Sequence, residues 1–163
     1  MRMFGKSLSE YIDFQKMILG LILIVGVVRL ALSLAGGSTS TARWFSVTAA
    51  ALIGTVYYGI RVHTTGFGGY KHLLPLSIIQ NLLAQFIAIV AIALAIVTGH
   101  DNIFSLPEYY GGSDGKTWGH VLAHLFLGGI FGSLVGWGVS SLVMFVTRKA
   151  APGPKGRAAV AGA

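Results

Sequence analysis

The chain has 163 residues, 54% of them hydrophobic and 10% charged, with a mean hydropathy of +0.73 and a formal net charge of +7. An average soluble domain carries roughly 25% charged residues, so this composition excludes an ordinary water-facing globule. The absence of cysteine excludes disulfides, thiolate metal sites, iron–sulfur clusters and cysteine nucleophiles. The basic residues stand at the ends of apolar stretches and not along one face, so no nucleic-acid partner is expected.

Residues 1–13 read as a cytoplasmic amphipathic lead-in, opened by Ser7-Leu8-Ser9-Glu10 at capping-box spacing. The first apolar run covers about 14–34. Its end, Ser33-Leu34-Ala35, has the small residues of a signal-peptide cleavage site. Glu10, Asp13 and the interrupting Arg29 argue instead for a retained span. Gly36 to Thr41 is a polar turn, and the second run follows over about 44–60. A connector with Gly66, Gly68 and Gly69 leads to Pro75, expected in the first turn of a third helix, and to an apolar run over 76–98. The longest connector, 99–117, holds Pro107, Gly111, Gly112, Gly115 and the acids Asp101, Glu108 and Asp114. The fourth run spans 118–147, and the basic remainder, 148–163, is expected to be disordered.

Each run is near the ~20 residues that cross a hydrocarbon core, and none shows the sustained alternation of a β-barrel strand. Backbone groups in lipid must pair internally. The fold expected is an all-α integral membrane protein, four transmembrane helices in an antiparallel bundle over 14–147. With the N-terminus inside, nine Lys and Arg (Arg2, Lys6, Lys16, Arg61, Lys71, Arg148, Lys149, Lys155, Arg157) face the cytoplasm and two (Arg43, Lys116) face out. That bias puts both termini in the cytoplasm and the protein in the cell inner membrane. Trp44 and Trp118 then begin spans at the outer interface.

Two rows at helical spacing stand out. On the fourth run Gly128, Gly132 and Gly136 form a doubled small-residue motif for close helix packing, within the bundle or against another copy or subunit. A sharper reading makes the same glycines room for a flat haem or quinone. On the third run Ser77, Asn81 and Gln85, with Gln80 alongside, serve either as interhelical glue or as a polar lining for a solute.

The histidines carry the cofactor readings. His120 and His124 share a helix face, and an antiparallel neighbour brings His100 and Asp101 toward them. His100, Asp101, His120 and His124 would suit a divalent metal, and His100 with His124 could hold a haem b. His63 and His72 bracket the inner connector and suggest a second site at the other face. The simpler reading of all five is interfacial hydrogen bonding, with no cofactor as the default. Arg29 is the one full charge well inside an apolar run, and Asp101 is its expected ion-pair partner.

Function follows in three readings. The leading one is a non-catalytic membrane subunit or assembly component, acting through helix packing as a homo-oligomer or with other membrane subunits. The second is a haem- or metal-binding electron-transfer anchor. The third is a small-solute transporter or channel lined by the amides of the third span. No phosphate-cradling motif and no nucleophile elbow accompanies these features, so an enzyme is not favoured.

Overall fold

The structure is a computed structural model that describes residues 2–151, apart from the side chain of Tyr109. Most of the tail expected to be disordered, 152–163, lies outside the described residues.

The chain opens with a hairpin that sequence reading did not foresee, β1 (Arg2–Met3) paired antiparallel with β2 (Lys6–Ser7). Phe4 and Gly5 turn it with φ of 54° and 89°, the left-handed pair that matches strand twist in a two-residue turn. Ser7 then caps α1 (Leu8–Leu34): its Oγ accepts the Glu10 N–H at 3.2 Å, and the Glu10 carboxylate accepts the Ser7 N–H at 2.7 Å. The expected capping box is formed, and the lead-in and first span are one helix. Nothing between Tyr11 and Lys16 breaks a helix, so there is no boundary at residue 14.

The second span starts later than expected. Residues Thr39–Trp44 form a separate short helix, α2, and the chain then bends at Phe45. Ser46 Oγ accepts the Ala49 N–H at 3.2 Å and starts α3 (Val47–Thr64). A serine that caps a new helix competes with continuation of the old one. The third helix, α4 (Tyr70–Thr98), begins ahead of Leu76 because the His72 ring takes the Gly69 N–H at 3.0 Å and closes the first turn. Pro75 therefore falls in the second turn. Gly99, at φ 72°, ends the helix in the left-handed conformation a glycine allows.

The fourth helical stretch is continuous from Trp118 to Ala150 but not uniform. It runs as α5 (Trp118–Ala123), a π-helical segment (His124–Phe131) and α6 (Gly132–Ala150). A π-segment as long as eight residues is unusual, since π geometry commonly appears as single-turn bulges.

The structure thus has four helical stretches long and apolar enough to cross a membrane, of 27, 26, 29 and 33 residues. They pack up-down-up-down. His72 Nε2 lies 3.2 Å from Phe4 O, and His63 Nε2 lies 3.1 Å from Ala151 O. These contacts gather the hairpin, the α3–α4 connector and the end of α6 at one end, called here the terminal end. The opposite, loop end carries α2 and the α4–α5 connector. Tyr11, Ile22, Tyr58, Leu73, Leu76 and Met144 form a fully buried core toward the terminal end. The exterior is the apolar part: Met17 is 75% exposed and Val97 78%. In the most apolar window of α1 only 17% of residues are buried.

Candidate functional site

The two rows read from the sequence face each other. A Cβ on Gly128 would lie 2.4 Å from Gln85 Oε1, one on Gly132 3.0 Å from Asn81 Nδ2, and one on Gly136 3.6 Å from Ser77 Cβ. Each glycine supplies the space into which an α4 side chain fits, so the row packs within the bundle. The π-segment explains how the amides are received. Its wider turn presents backbone carbonyls sideways, and Asn81 Nδ2 donates to Gly128 O, to Gly129 O at 3.0 Å and to Ser133 Oγ at 3.2 Å. Gln80 crosses the other way, donating to Ala51 O at 2.8 Å, and a Cβ on Gly54 would strike its amide.

At the loop end the seam opens into a cavity of about 250 Å3 between all the long helices. Its polar lining is Arg29, Thr48, Asn81, Gln85, His120 and His124, and no carboxylate is among the lining residues. Ile103 and Phe104 of the α4–α5 connector also line it. That connector is pinned by Ile103 N–H donating to Ser33 Oγ at 2.8 Å and Asn102 Nδ2 donating to Ala91 O at 2.7 Å. The Arg29 guanidinium lies 5.2 Å from the centre of the Phe104 ring.

Both histidines are oriented by their Nδ1 atoms. His120 Nδ1 donates to Gly115 O at 2.9 Å, and the ring stacks on Tyr110 with centroids 4.3 Å apart. His124 Nδ1 donates to Gln85 Oε1 at 2.6 Å. A carbonyl oxygen can only accept, so each Nδ1 bears the proton and each Nε2 is left for another partner. The two rings sit side by side, centroids 4.9 Å apart and inclined at 37°.

A second cleft of about 340 Å3 continues the cavity along the seam. It shares Thr48, Ala51, Asn81 and Gln85 with the first and reaches Thr55, Ser77 and Gln80 at mid-helix. Ser77 Oγ and Gln80 Oε1 are buried there and find no hydrogen-bond partner among the described residues. Toward the terminal end Phe14 stacks on Phe67 at 4.0 Å, and Tyr11 and Tyr58 are fully buried beside them.

The remaining expectations land elsewhere. Asp101 takes Lys116 Nζ at 2.6 Å; this lysine belongs to the same connector and is nearer in chain than Arg29, the partner expected from the sequence. Lys116 also reaches Asp114 at 3.3 Å, and Arg43 pairs with Glu108. Asp114 is held below the usual carboxylate range, first by the backbone N–H of Lys116 and then by its ammonium; hydrogen bonds to Asp101 and Asp114 raise Lys116. His100 is exposed at the end of α4. His100 and Asp101 do not join the two histidines, and no group of three or more His, Asp or Glu side chains among the described residues is placed to hold a metal ion. His72 is buried among Phe4, Tyr11 and Phe67, and His63 contacts the end of α6, so both close the terminal end.

Sequence reading missed Thr48 and Phe104 as companions of the histidines and reached Arg29 only through its expected pairing with Asp101. Their signal is weak because each lies on a different element. Compared with known proteins, the chain matches no family model, no curated protein and no solved structure.

Proposed function

We propose that this is a four-span membrane protein of the cytoplasmic membrane, with both termini inside, that binds a small polar solute within its helix bundle from the loop end. One observation carries the reading: the loop-end cavity and the mid-helix cleft share walls, and polar side chains from His120 and His124 to Ser77 and Gln80 face these two spaces, the second walled otherwise by apolar side chains. Polar atoms in a membrane interior are costly unless satisfied, and those facing a cavity mark a ligand or solute pathway.

The subunit reading rested most specifically on the glycine row. Because α4 side chains occupy part of the space over those glycines, the row has a use within the bundle and does not by itself call for a second chain.

The test is 13C NMR of labelled formamide, urea and formate with the purified protein in dodecylmaltoside micelles. Saturable line broadening of at least one solute, reversed by excess of the unlabelled compound, supports solute binding. Broadening no greater than in empty micelles for all three contradicts it.

A further inference from the structure

We infer that the ligand of this space is a small uncharged molecule that donates hydrogen bonds from NH2 groups, the chemistry of a urea or a primary amide. This rests on the solute-binding reading above and adds the chemical class.

Size does not choose the ligand. The loop-end cavity of about 250 Å3 and the mid-helix cleft of about 340 Å3 share Thr48, Ala51, Asn81 and Gln85, so together they offer more room than a solute of a few atoms fills. The choice falls to the polar atoms of the walls.

Most donors on these walls are already spent inside the protein. Asn81 Nδ2 gives its hydrogens to Gly128 O, Gly129 O and Ser133 Oγ. Gln80 Nε2 donates to Ala51 O at 2.8 Å, and the Thr55 hydroxyl donates to the same carbonyl at 3.0 Å. His120 and His124 spend their Nδ1 hydrogens on Gly115 O and Gln85 Oε1.

What the neutral rings leave over is acceptors. Each Nε2 then carries a bare lone pair, and neither has a hydrogen-bond partner among the described residues. Both rings line one cavity, with centroids 4.9 Å apart. An NH2 nitrogen about 2.9 Å from each of two acceptors bridges roughly 5 Å between them, so one such group reaches both lone pairs. His120 is only 4% exposed and is clamped between Tyr110 and Gly115 O, so its lone pair is fixed in advance. At mid-helix Ser77 Oγ and Gln80 Oε1 are likewise without a partner among the described residues.

Acceptors left unpaired in a bundle interior are costly, and a donor molecule removes that cost. A carboxylate brings only further lone pairs to a neutral imidazole. A cation finds no carboxylate among the residues that line either space. An uncharged donor meets neither difficulty. Arg29 also lines the cavity, its guanidinium 5.2 Å from the centre of the Phe104 ring. Whatever it contributes to a solute's carbonyl is common to ureas, amides and ketones, so it does not decide among them.

Urea, acetamide and acetone are planar molecules of nearly equal size with two, one and no NH2 groups beside the same carbonyl. Acetate is their anionic counterpart. Dissociation constants come from saturable 13C line broadening of each labelled solute, corrected for empty nanodiscs. The protein is held in phosphatidylcholine nanodiscs in mildly alkaline buffer at constant ionic strength. The expected result is urea at least tenfold tighter than acetone, acetamide between them, and acetate no tighter than acetamide. In His120→Phe and His124→Phe, which keep a ring and lose the lone pair, urea should fall toward acetone. Acetone binding as tightly as urea overturns the donor class, and acetate binding more tightly than acetamide overturns the uncharged class; either leaves the solute-binding reading in place. A full urea preference in both folded variants takes the imidazoles out of the site and overturns the inference. No saturable binding of any of the four solutes overturns both readings. Where a variant fails to fold, 15N spectra of the histidine-labelled wild type decide the part of the rings. Protons on both Nδ1 atoms and none on Nε2 are expected, and a proton on either Nε2 contradicts the inference.

Discussion

Asn81→Leu tests whether the π-segment is held open by α4. Leucine is close to asparagine in volume and keeps the contact with Gly132, but it removes both N–H bonds of the amide. Those two hydrogens serve Gly128 O, Gly129 O and Ser133 Oγ, all on the neighbouring stretch. Interhelical hydrogen bonds in membrane proteins average about 0.6 kcal/mol and reach about 1.7. Two bonds therefore give an expected loss of about 1–3 kcal/mol. Reversible unfolding by SDS titration in mixed micelles measures the stability. Hydrogen–deuterium exchange over residues 124–131 localises the effect, because carbonyls that lose their donor from α4 favour a return to α-helical pairing. Stability within about 0.5 kcal/mol of wild type, the scatter of a neutral surface change, together with unaltered exchange over that segment, would refute the reasoning.

Further outcomes follow from individual contacts. Gly59→Ala places a Cβ 2.7 Å from Ser140 O and 2.6 Å from Val143 Cβ, where backbone and a branched carbon cannot yield, so α3 and α6 separate at a cost of about 1–3 kcal/mol. Gly138→Ala, on α6 with nothing within 4 Å, should be neutral or gain up to about 1 kcal/mol; the same SDS titration compares the two, and equal losses count against the close approach. Ser7→Ala removes the cap of α1 and should cost about 0.5–2 kcal/mol, seen as faster exchange of the first helical turn. The lowered pKa of Asp114 means that its stabilising contacts are fully present above its ordinary value of 3.8 and are lost as pH falls through the folded-state value. Because the backbone N–H of Lys116 is the largest cause, Lys116→Met should return the Asp114 titration, followed by carboxyl 13C NMR, only part of the way to that value.

Four helical stretches were legible because length and apolar composition alone define them, and the Ser7–Glu10 box was legible because its spacing is local. The break at Ser46 was harder, since a serine inside an apolar run reads equally as an interhelical donor or as a cap. The two rows at four-residue spacing were each visible, yet their meeting depends on the axial offset between α4 and the fourth helical stretch, which no single-helix pattern encodes. The π-segment follows from that meeting: Gly128 and Gly129 permit it, and Asn81 supplies donors to its carbonyls. The proposed partnership of His100 and Asp101 with His120 and His124 assumed that groups at one membrane face converge. Lys116 captures Asp101 first, and His100 turns outward at the end of α4. The true companions of the histidines, Gln85, Gly115, Tyr110 and Arg29, come from three separate parts of the chain, α4, the α4–α5 connector and α1.

The register of the amide row on the glycine row can be read directly by disulfide trapping, since the natural chain has no cysteine. The Ser77→Cys/Gly136→Cys pair brings two Cβ positions within 3.6 Å, inside the ~3.5–4.5 Å that a disulfide spans. In membranes treated with a mild oxidant, this pair should close within one chain. The Ser77→Cys/Gly138→Cys pair, whose second position lies on the opposite face of α6, should stay reduced. Closure of the Gly138 pair instead, or only chain-to-chain dimers from the Gly136 pair, would contradict the packing on which the cavity and its ligand depend.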